Sequence, residues 1–403
     1  MAGPSTVPCA SSSEVVALPG RLAGQRRRLR QFWVQAHLWL GLTVGSIFVL
    51  LGLSGSVLCF YPEIDLWLNP AQQLAGDRPP SDLQPVLAAL RAARPAYDGA
   101  WRLEMPLAAG RPINARYYRP PETAGRSFAP FMATVDPQTL AVSSQRFWGD
   151  YAMTWVYDLH YTLLLGKPGR IAVGAIGLVA LLSVLSGLYL WWPSPGRWRA
   201  ALKPAIRPGA VRVNYDWHVR TGIYGLLLTL VVVGSGVFLA WPEYLNPLVA
   251  SASPLSQRPV LMSTPLPGGG MIDADTAVTR ALTRLPGATL RWLETPAGPE
   301  GVYRINVWLP DDPGYRFPRS NVWVDAWSGE VLAVRDWREN TAGDTFLAWL
   351  HPLHNGEALG LAGRWLAFIA GLLPAVLWLT GWRRWQQKRR ARQASARRAL
   401  PAA

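Results

Sequence analysis

The chain has 403 residues, of which 50% are apolar or aromatic and 16% are charged, and it contains 21 tryptophans. A soluble globular protein carries about a quarter charged residues, so this composition argues against an ordinary soluble enzyme. The net charge of +15 would by itself suggest nucleic-acid binding, but the positions of the basic residues argue against that class of protein.

Four stretches without a charged residue are each long enough to cross about 30 Å of hydrocarbon as a helix. They are residues 38–61, 171–192, 221–242 and 365–382. Aromatic residues such as Trp191, Trp192 and Trp241 stand at their ends, as in the interfacial belts of membrane helices. The sequence therefore predicts a mainly α-helical membrane protein with four transmembrane helices.

Basic residues are concentrated in the N-terminus (1–37), a short loop (193–220) and the tail (383–403). These three segments carry a net charge of +17, whereas the long segments 62–170 and 243–364 together carry −2. By the positive-inside rule, both termini and the short loop are predicted to be cytoplasmic, with the long segments on the outer side. The expected partner of the basic charge is membrane lipid, and no nucleic acid is expected.

Two further features limit the possible chemistry. The first span lies too far from the N-terminus and is too long for a cleavable signal peptide, so it is expected to stay in the protein. The two cysteines, Cys9 and Cys59, fall on opposite sides of the predicted membrane. We therefore expect neither an internal disulfide nor a thiolate metal cluster.

The two halves of the chain match at fixed offsets around histidines. After the first histidine of each half, His37, Gly41 and Ser54-Gly55 correspond to His218, Gly222 and Ser235-Gly236. A second set of matches lies before and within the second and fourth spans: Trp155, His160, Gly166, Gly169-Arg170 and Ser186-Gly187 correspond to Trp349, His354, Gly360, Gly363-Arg364 and Thr380-Gly381. Pro62-Glu63 and Pro242-Glu243 end the first and third spans. We predict two two-helix repeats of the same topology, related by a pseudo-twofold axis along the membrane normal.

Four of the five histidines are repeat-matched, so the axis should place His37 opposite His218 and His160 opposite His354. Two opposed imidazoles from facing helices are the axial ligands that a six-coordinate b haem requires. Zinc or copper bound by two histidines is the main alternative, although no third ligand is evident. A packing role for each histidine is a further alternative. His351, the unmatched histidine, is an alternative to His354.

Other residues bear on haem binding. Glycines beside the histidines and within the spans would let a flat macrocycle approach the helix backbone. The chain has no Cys-x-x-Cys-His, which excludes covalent c-type haem. Four arginines near the histidine levels are candidates for neutralising haem propionates, with positive-inside or interfacial roles as the alternative: Arg30, Arg170, Arg220 and Arg364.

These histidine motifs resemble those of the PepSY-associated transmembrane-helix family. The resemblance rests on residues 36–41, 158–166, 216–218 and 353–356 and covers about residues 27–385. Characterised members are bacterial inner-membrane ferric-siderophore reductases that hold two non-covalent b haems between four helices. The resemblance implies that His37, His218, His160 and His354 ligate two haem irons, and that a ferric siderophore or other Fe(III) chelate is reduced on the periplasmic side for iron homeostasis.

The long segments fit that resemblance as α+β PepSY-like modules. In the second, the pattern predicts a helix at 277–285, strands at 290–294 and 302–309, and a hairpin with strands around 322–325 and 331–334. The first repeats the order with a helix at 83–93 and a strand ending at Val135-Asp136, but its turn lacks the glycine. Lys167-Pro168-Gly169 is predicted to break any helix between His160 and the second span.

Three classes of function stay open. The first is a di-haem reductase supplied by quinol or a separate flavoprotein, since the chain has no dinucleotide-binding fingerprint. The second is a non-enzymatic periplasmic binding or regulatory protein. The third is an iron or chelate transporter, although the charge-free spans argue against it. Aromatic residues that could line a substrate entrance, or anchor the protein in the bilayer, are Trp148, Tyr151, Trp155, Tyr157 and Trp349.

Overall fold

The structure is a computed structural model that describes residues 18–72, 82–108, 110–203 and 208–398, so that Cys9 lies outside the described residues. The helices of this part of the chain are α1 (Leu18–Leu42), α2 (Val44–Leu58), α3 (Tyr61–Leu68), α4 (Gln84–Ala93), α5 (Ala152–Thr162), α6 (Gly166–Trp191), α7 (Trp198–Leu202), α8 (Ala210–Tyr224), α9 (Leu226–Ala240), α10 (Pro242–Ala252), α11 (Ala274–Arg284), α12 (Ala342–Asn355) and α13 (Gly360–Arg398). The strands are β1 (Trp101–Glu104), β2 (Ile113–Tyr117), β3 (Phe131–Val135), β4 (Val142–Phe147), β5 (Thr289–Glu294), β6 (Val302–Trp308), β7 (Ser320–Asp325) and β8 (Val331–Arg335).

The fold is mainly helical, with two to four candidate membrane spans among the described residues. Helix α6 and the helical segment Glu357–Arg398, which contains α13, are each long and apolar enough to cross a membrane. The other candidates are two bent pairs, α1 with α2 at 49° and α8 with α9 at 60°.

At these two bends the structure differs from the prediction of unbroken helices at 38–61 and 221–242. The first falls at Thr43, whose hydroxyl donates to the carbonyl of Trp39 (2.7 Å); such side-chain bonds compete with the helix ladder and bend it. The second falls at Gly225, where the side chain of Leu373 occupies the space that a Cβ would need. Both breaks lie near the ends of the helices that carry His37 and His218.

Small residues allow the membrane helices to pack closely. A Cβ on Gly52 of α2 would lie 2.4 Å from the carbonyl oxygen of Gly371 in α13. Likewise, a Cβ on Gly174 of α6 would meet the indole of Trp241 at 2.1 Å. Such contacts are the usual means of helix association in a bilayer, where lipid removes the hydrophobic driving force between helices.

The two long segments join in one eight-stranded sheet of order β4-β3-β2-β1-β5-β6-β7-β8. Neighbouring strands are antiparallel, and the join is the pairing of β1 with β5, with Leu103 opposite Leu293. Helices α4 and α11 contribute to the apolar core on one face of the sheet, where Trp101, Leu103 and Leu293 are wholly buried.

Hydrogen bonds also link the N-termini of α4 and α11 on this face. The carboxylate of Asp275 in α11 accepts from the backbone N–H groups of Leu83 and Gln84 at 2.7 and 3.0 Å. In return, the side-chain oxygen of Gln84 accepts from the N–H of Ala274 (3.1 Å). Each bond satisfies a backbone donor that a helix start leaves without an intrahelical partner.

The helices and strands predicted in the long segments are confirmed at their expected places, as α4, β3, α11 and β5 to β8. The predicted break at Lys167-Pro168-Gly169 is wrong in position, because those residues lie in the first turn of α6. The chain breaks instead at Leu163 and Leu164, which have φ values of 50° and 61°, before Gly166 at 61°. Proline is tolerated in a first turn, since no intrahelical N–H bond is lost there.

Candidate functional site

The four repeat-matched histidines lie in two opposed pairs, one with edge-on rings and one with tilted rings. His37 of α1 and His218 of α8 form the first pair, with ring centroids 6.1 Å apart. His160 of α5 and His354 of α12 form the second pair, with ring centroids 6.0 Å apart. His351 is outside both pairs; its ring contacts Phe317 and the side-chain amide of Asn355 instead.

In the second pair, each imidazole is held by the neighbouring helix through Nδ1. His160 Nδ1 lies 2.9 Å from the carbonyl oxygen of Leu51 and 3.3 Å from the hydroxyl of Ser54. His354 Nδ1 lies 2.8 Å from the carbonyl oxygen of Val232 and 3.3 Å from the hydroxyl of Ser235. Because a carbonyl oxygen only accepts, Nδ1 carries the proton in both rings.

The first pair has the same arrangement. His37 Nδ1 donates to the carbonyl of Ser183 (3.1 Å) and to the hydroxyl oxygen of Ser186 (2.9 Å). His218 Nδ1 lies 2.9 Å from the hydroxyl oxygen of Thr380. That hydroxyl already donates to the carbonyl of Val376 (2.7 Å), so it accepts from the imidazole. The proton on Nδ1 leaves the Nε2 lone pair of each ring free to bind a metal.

The spacing within each pair suits a metal between the two rings. A metal–imidazole bond is about 2 Å long, so two imidazoles on opposite sides of one ion have their ring centroids roughly 6 Å apart, as both pairs do. No group of three or more His, Cys, Asp or Glu side chains in the described ranges could hold a metal ion. The donor set therefore fits a centre whose remaining ligands come from a macrocycle better than it fits zinc, which takes three or four protein ligands.

Glycines in the spans make room for the imidazole rings, whereas the approach of a flat macrocycle to the helix backbone stays a prediction. A Cβ on Gly55 would lie 2.7 Å from Cε1 of His160, and one on Gly236 would lie 2.8 Å from Cε1 of His354. The corresponding distances in the first pair are 3.1 Å at Gly187 and 3.5 Å at Gly381. The Ser-Gly and Thr-Gly dipeptides of the repeat therefore supply both a hydroxyl and a vacant Cβ position to each histidine.

The arginines predicted near the histidines have other partners. Arg364 donates to the carboxylate of Glu63 (2.7 Å) and to the carbonyl of Cys59 (2.9 Å). Arg170 forms the corresponding ion pair with Glu243. The Gly-Arg and Pro-Glu motifs of the repeat thus pair with each other, a role that sequence analysis missed although both motifs were visible.

The remaining two arginines stand apart from those ion pairs. Arg220 donates to the carbonyl of Ala201 (2.5 Å), and Arg30 is exposed. Among the predicted entrance aromatics, Trp148 packs on Tyr157 and donates to Asp158 (3.0 Å), and Arg146 lies 3.6 Å from the ring centroid of Tyr151. Trp155 and Trp349 are exposed.

Comparison with known proteins gives two findings. The family of the PepSY-associated TM region matches residues 34–388. A Pseudomonas aeruginosa protein, named as the uncharacterized protein PA4219, is 27% identical over 240 residues. That match covers 55% of this chain and 58% of the relative's own length.

Proposed function

Because the chain belongs to the family of the PepSY-associated TM region, we propose that it is a membrane oxidoreductase that holds one b haem at each histidine pair and reduces an Fe(III) chelate such as a ferric siderophore. The observation that carries the proposal is the separation of about 6 Å between the ring centroids of each histidine pair. In each pair both Nδ1 atoms lie against hydrogen-bond acceptors, and neither Nε2 atom forms a hydrogen bond to the described residues. A bound haem supplies one-electron redox chemistry at iron.

The hydrogen-bond acceptors beside each pair would determine the orientation and basicity of the imidazoles as haem ligands. An acceptor on Nδ1–H orients the ring and increases the basicity of Nε2, as outer-sphere partners do at metal sites. The four hydroxyls and the carbonyls beside them would do so for His37, His218, His160 and His354. All four rings are part-buried between helices, which limits their contact with water.

Two pairs in one bundle suit electron transfer from one side of the membrane to the other. We place the first pair near the cytoplasmic face, where quinol or a separate flavoprotein is the donor, and the second near the periplasmic face of a bacterial inner membrane, with both chain termini cytoplasmic. Each Fe(III) that gains one electron becomes Fe(II), which binds hard oxygen ligands more weakly and leaves the chelate.

We also propose that the four membrane helices form two two-helix repeats of the same topology. The matched contacts of the two halves support it: Ser54-Gly55 with His160 corresponds to Ser235-Gly236 with His354. The two four-stranded halves of the sheet, each with one covering helix, support two PepSY-like modules.

The test is the visible spectrum of the purified protein, dithionite-reduced minus oxidised, with haem quantified as its pyridine complex. We expect two b haems per chain in wild type, falling towards one in His37→Ala and in His160→Ala. His351→Ala is the matched control, since His351 is a histidine of the same region outside both pairs, and its haem content should equal that of wild type. A colourless wild type from haem-supplied cells would refute the reductase and favour the binding-protein alternative.

A further inference from the structure

The side of the sheet away from the apolar core carries arginines and faces the helices that lead to the second histidine pair. We name four arginines of the strands, together with one of the loop between β6 and β7, the arginine face: Arg102, Arg116, Arg291, Arg304 and the loop residue Arg316. Two contacts show that this side of the sheet is turned towards the helices. Arg146 of β4 pairs with Asp65 of α3 (2.5 Å), and Arg316 lies 5.5 Å from the ring centroid of Tyr61.

A β-bulge places Arg291 on this side. The register of β5 against β6 shifts between Leu290 and Trp292. Leu290 and Leu293 both contact the apolar core, so the extra residue directs Arg291 and Trp292 together towards the opposite side. Bulges of this kind often re-aim side chains next to functional sites.

The charges on the arginine face are not balanced. Glu104 pairs with Arg102 (2.9 Å) and Arg116 (3.4 Å), and Glu294 pairs with Arg304 (3.3 Å). Arg291 and Arg316 form no ion pair within the described residues. Arg291 is only 5% exposed, and its Nε has no hydrogen-bond partner there. Glu104 and Glu357 attract the Arg291 guanidinium only at longer range. Because a buried guanidinium without a directly bonded anion is costly, the site has room for a further anion.

Aromatic side chains surround these two arginines. Arg291 lies 4.7 Å from the ring centroid of Tyr315. The ring centroids of Trp292 and Phe317 are 6.4 Å apart, and the indole N–H of Trp292 has no hydrogen-bond partner among the described residues. Phe317 in turn contacts the ring of His351 at 5.0 Å, one helical turn before His354 on α12. Tyr315 and Phe317 are 40% and 38% exposed. The site is therefore open to solvent on one side and adjacent to the second histidine pair.

We propose that the arginine face, through Arg291 and Arg316, binds an anionic aromatic chelate, so that the preferred Fe(III) substrate carries phenolate, catecholate or carboxylate oxygens. Guanidinium groups bind such oxygens in a bidentate manner, and the neighbouring rings stack on aryl groups. This inference rests on the proposed function for its substrate, and it adds the charge and aromatic character of the ligand and the residues that recognise them.

The test uses gallium(III) complexes, because gallium(III) resembles Fe(III) in charge but does not accept the electron. Binding of trianionic gallium(III) tris-catecholate and of neutral gallium(III) tris-benzohydroxamate is measured by calorimetry on the full chain in lipid nanodiscs. Both probes carry aryl rings, so they differ mainly in charge. We expect at least tenfold tighter binding of the anionic probe, weakening as salt is added.

Arg291→Gln and Arg316→Gln should each weaken binding of the anionic probe about tenfold, as expected for loss of a charge-assisted hydrogen bond. Arg119→Gln is the matched control, since Arg119 is exposed on the loop after β2, and it should bind as wild type does. If Arg291→Gln does not fold, the half-buried Arg316 carries the comparison. Equal affinity for the two probes, or unchanged affinity in the folded arginine variants, overturns the inference.

Haem content of the same samples separates the two proposals. Two haems per chain without preference for the anionic probe would overturn the anion site alone. A preference for the anionic probe in a protein without haem would overturn the reductase and leave an anion-binding protein.

Discussion

The imidazole of His160 lies directly against Gly55, so closely that a Cβ on this glycine would be 2.7 Å from Cε1 of the ring. The glycine belongs to α2, which is part of a candidate membrane span, and the histidine belongs to α5, which lies outside the spans. The contact therefore fixes the position of α5 against α2. His354 and Gly236 form the corresponding contact at 2.8 Å. Histidine position therefore depends on the absence of one methyl group.

Alanine at these glycines should displace the histidines in a graded manner. Gly55→Ala and Gly236→Ala should lower haem content towards one per chain, because contacts below 3 Å force the ring to move. Gly187→Ala, with a 3.1 Å contact, should have a smaller effect, and Gly381→Ala, at 3.5 Å, should be close to wild type. Pyridine haemochrome quantitation measures the series.

Gly234→Ala is the control for the glycine series, because it is on the same helix as Gly236 and has no atom within 4 Å of an added Cβ. Equal haem loss in Gly381→Ala and Gly55→Ala would contradict the steric explanation.

Thr380→Val should raise the midpoint potential of the centre at His37 and His218. The hydroxyl accepts from Nδ1–H of His218 at 2.9 Å, which in the proposed haem centre would make Nε2 a stronger donor and stabilise the ferric state. Its loss should raise the potential by roughly 30 mV, where 59 mV is a tenfold change for one electron. Spectroelectrochemical titration gives the value for each centre.

The other centre serves as an internal reference in the Thr380→Val experiment, since Ser54 and Ser235 are unchanged. Ser251→Ala removes an exposed hydroxyl of α10 and should leave both potentials unaltered. A downward shift at the first centre, or equal shifts at both, would refute the proposed role of Thr380.

Asp344→Asn should destabilise the helix that carries His354. The carboxylate of Asp344 is 4% exposed and accepts from Ser256 Oγ (2.6 Å) and from Arg335 (3.1 Å). Hydrogen bonds to charged groups contribute about 2 kcal/mol each, so the thermal midpoint of the variant should fall by several degrees at pH 7. Asp98→Asn, at an exposed position, is the control.

The same residue predicts a pH dependence. Burial alone would raise the pKa of Asp344, but the hydrogen bonds from Ser256 and the charge of Arg335 together lower it. The stabilisation is therefore complete above the unfolded-state pKa of about 3.9 and is lost as the pH falls through the lower folded-state pKa. Wild type should lose thermal stability more steeply than Asp344→Asn below about pH 4; parallel curves would contradict this.

The sequence by itself was sufficient for features that depend on local pattern. Charge-free stretches predict the apolar helices because the free energy of crossing a bilayer is set by composition along the chain. Alternating apolar residues and turn signals predict β5 to β8, since a strand with one buried face has a period of two. The repeat spacing also predicted that His37 faces His218 and that His160 faces His354, whereas their role as haem ligands stays a prediction.

Only the tertiary structure decided contacts between residues distant in sequence. The pairing of β1 with β5 makes one sheet of two segments that sequence analysis treated separately. The ion pair of Arg364 with Glu63 and the contact of Gly55 with His160 join positions more than 100 residues apart. Motif spacing marks such residues as matched, but their partners depend on how the helices pack, because close packing is determined by three-dimensional shape.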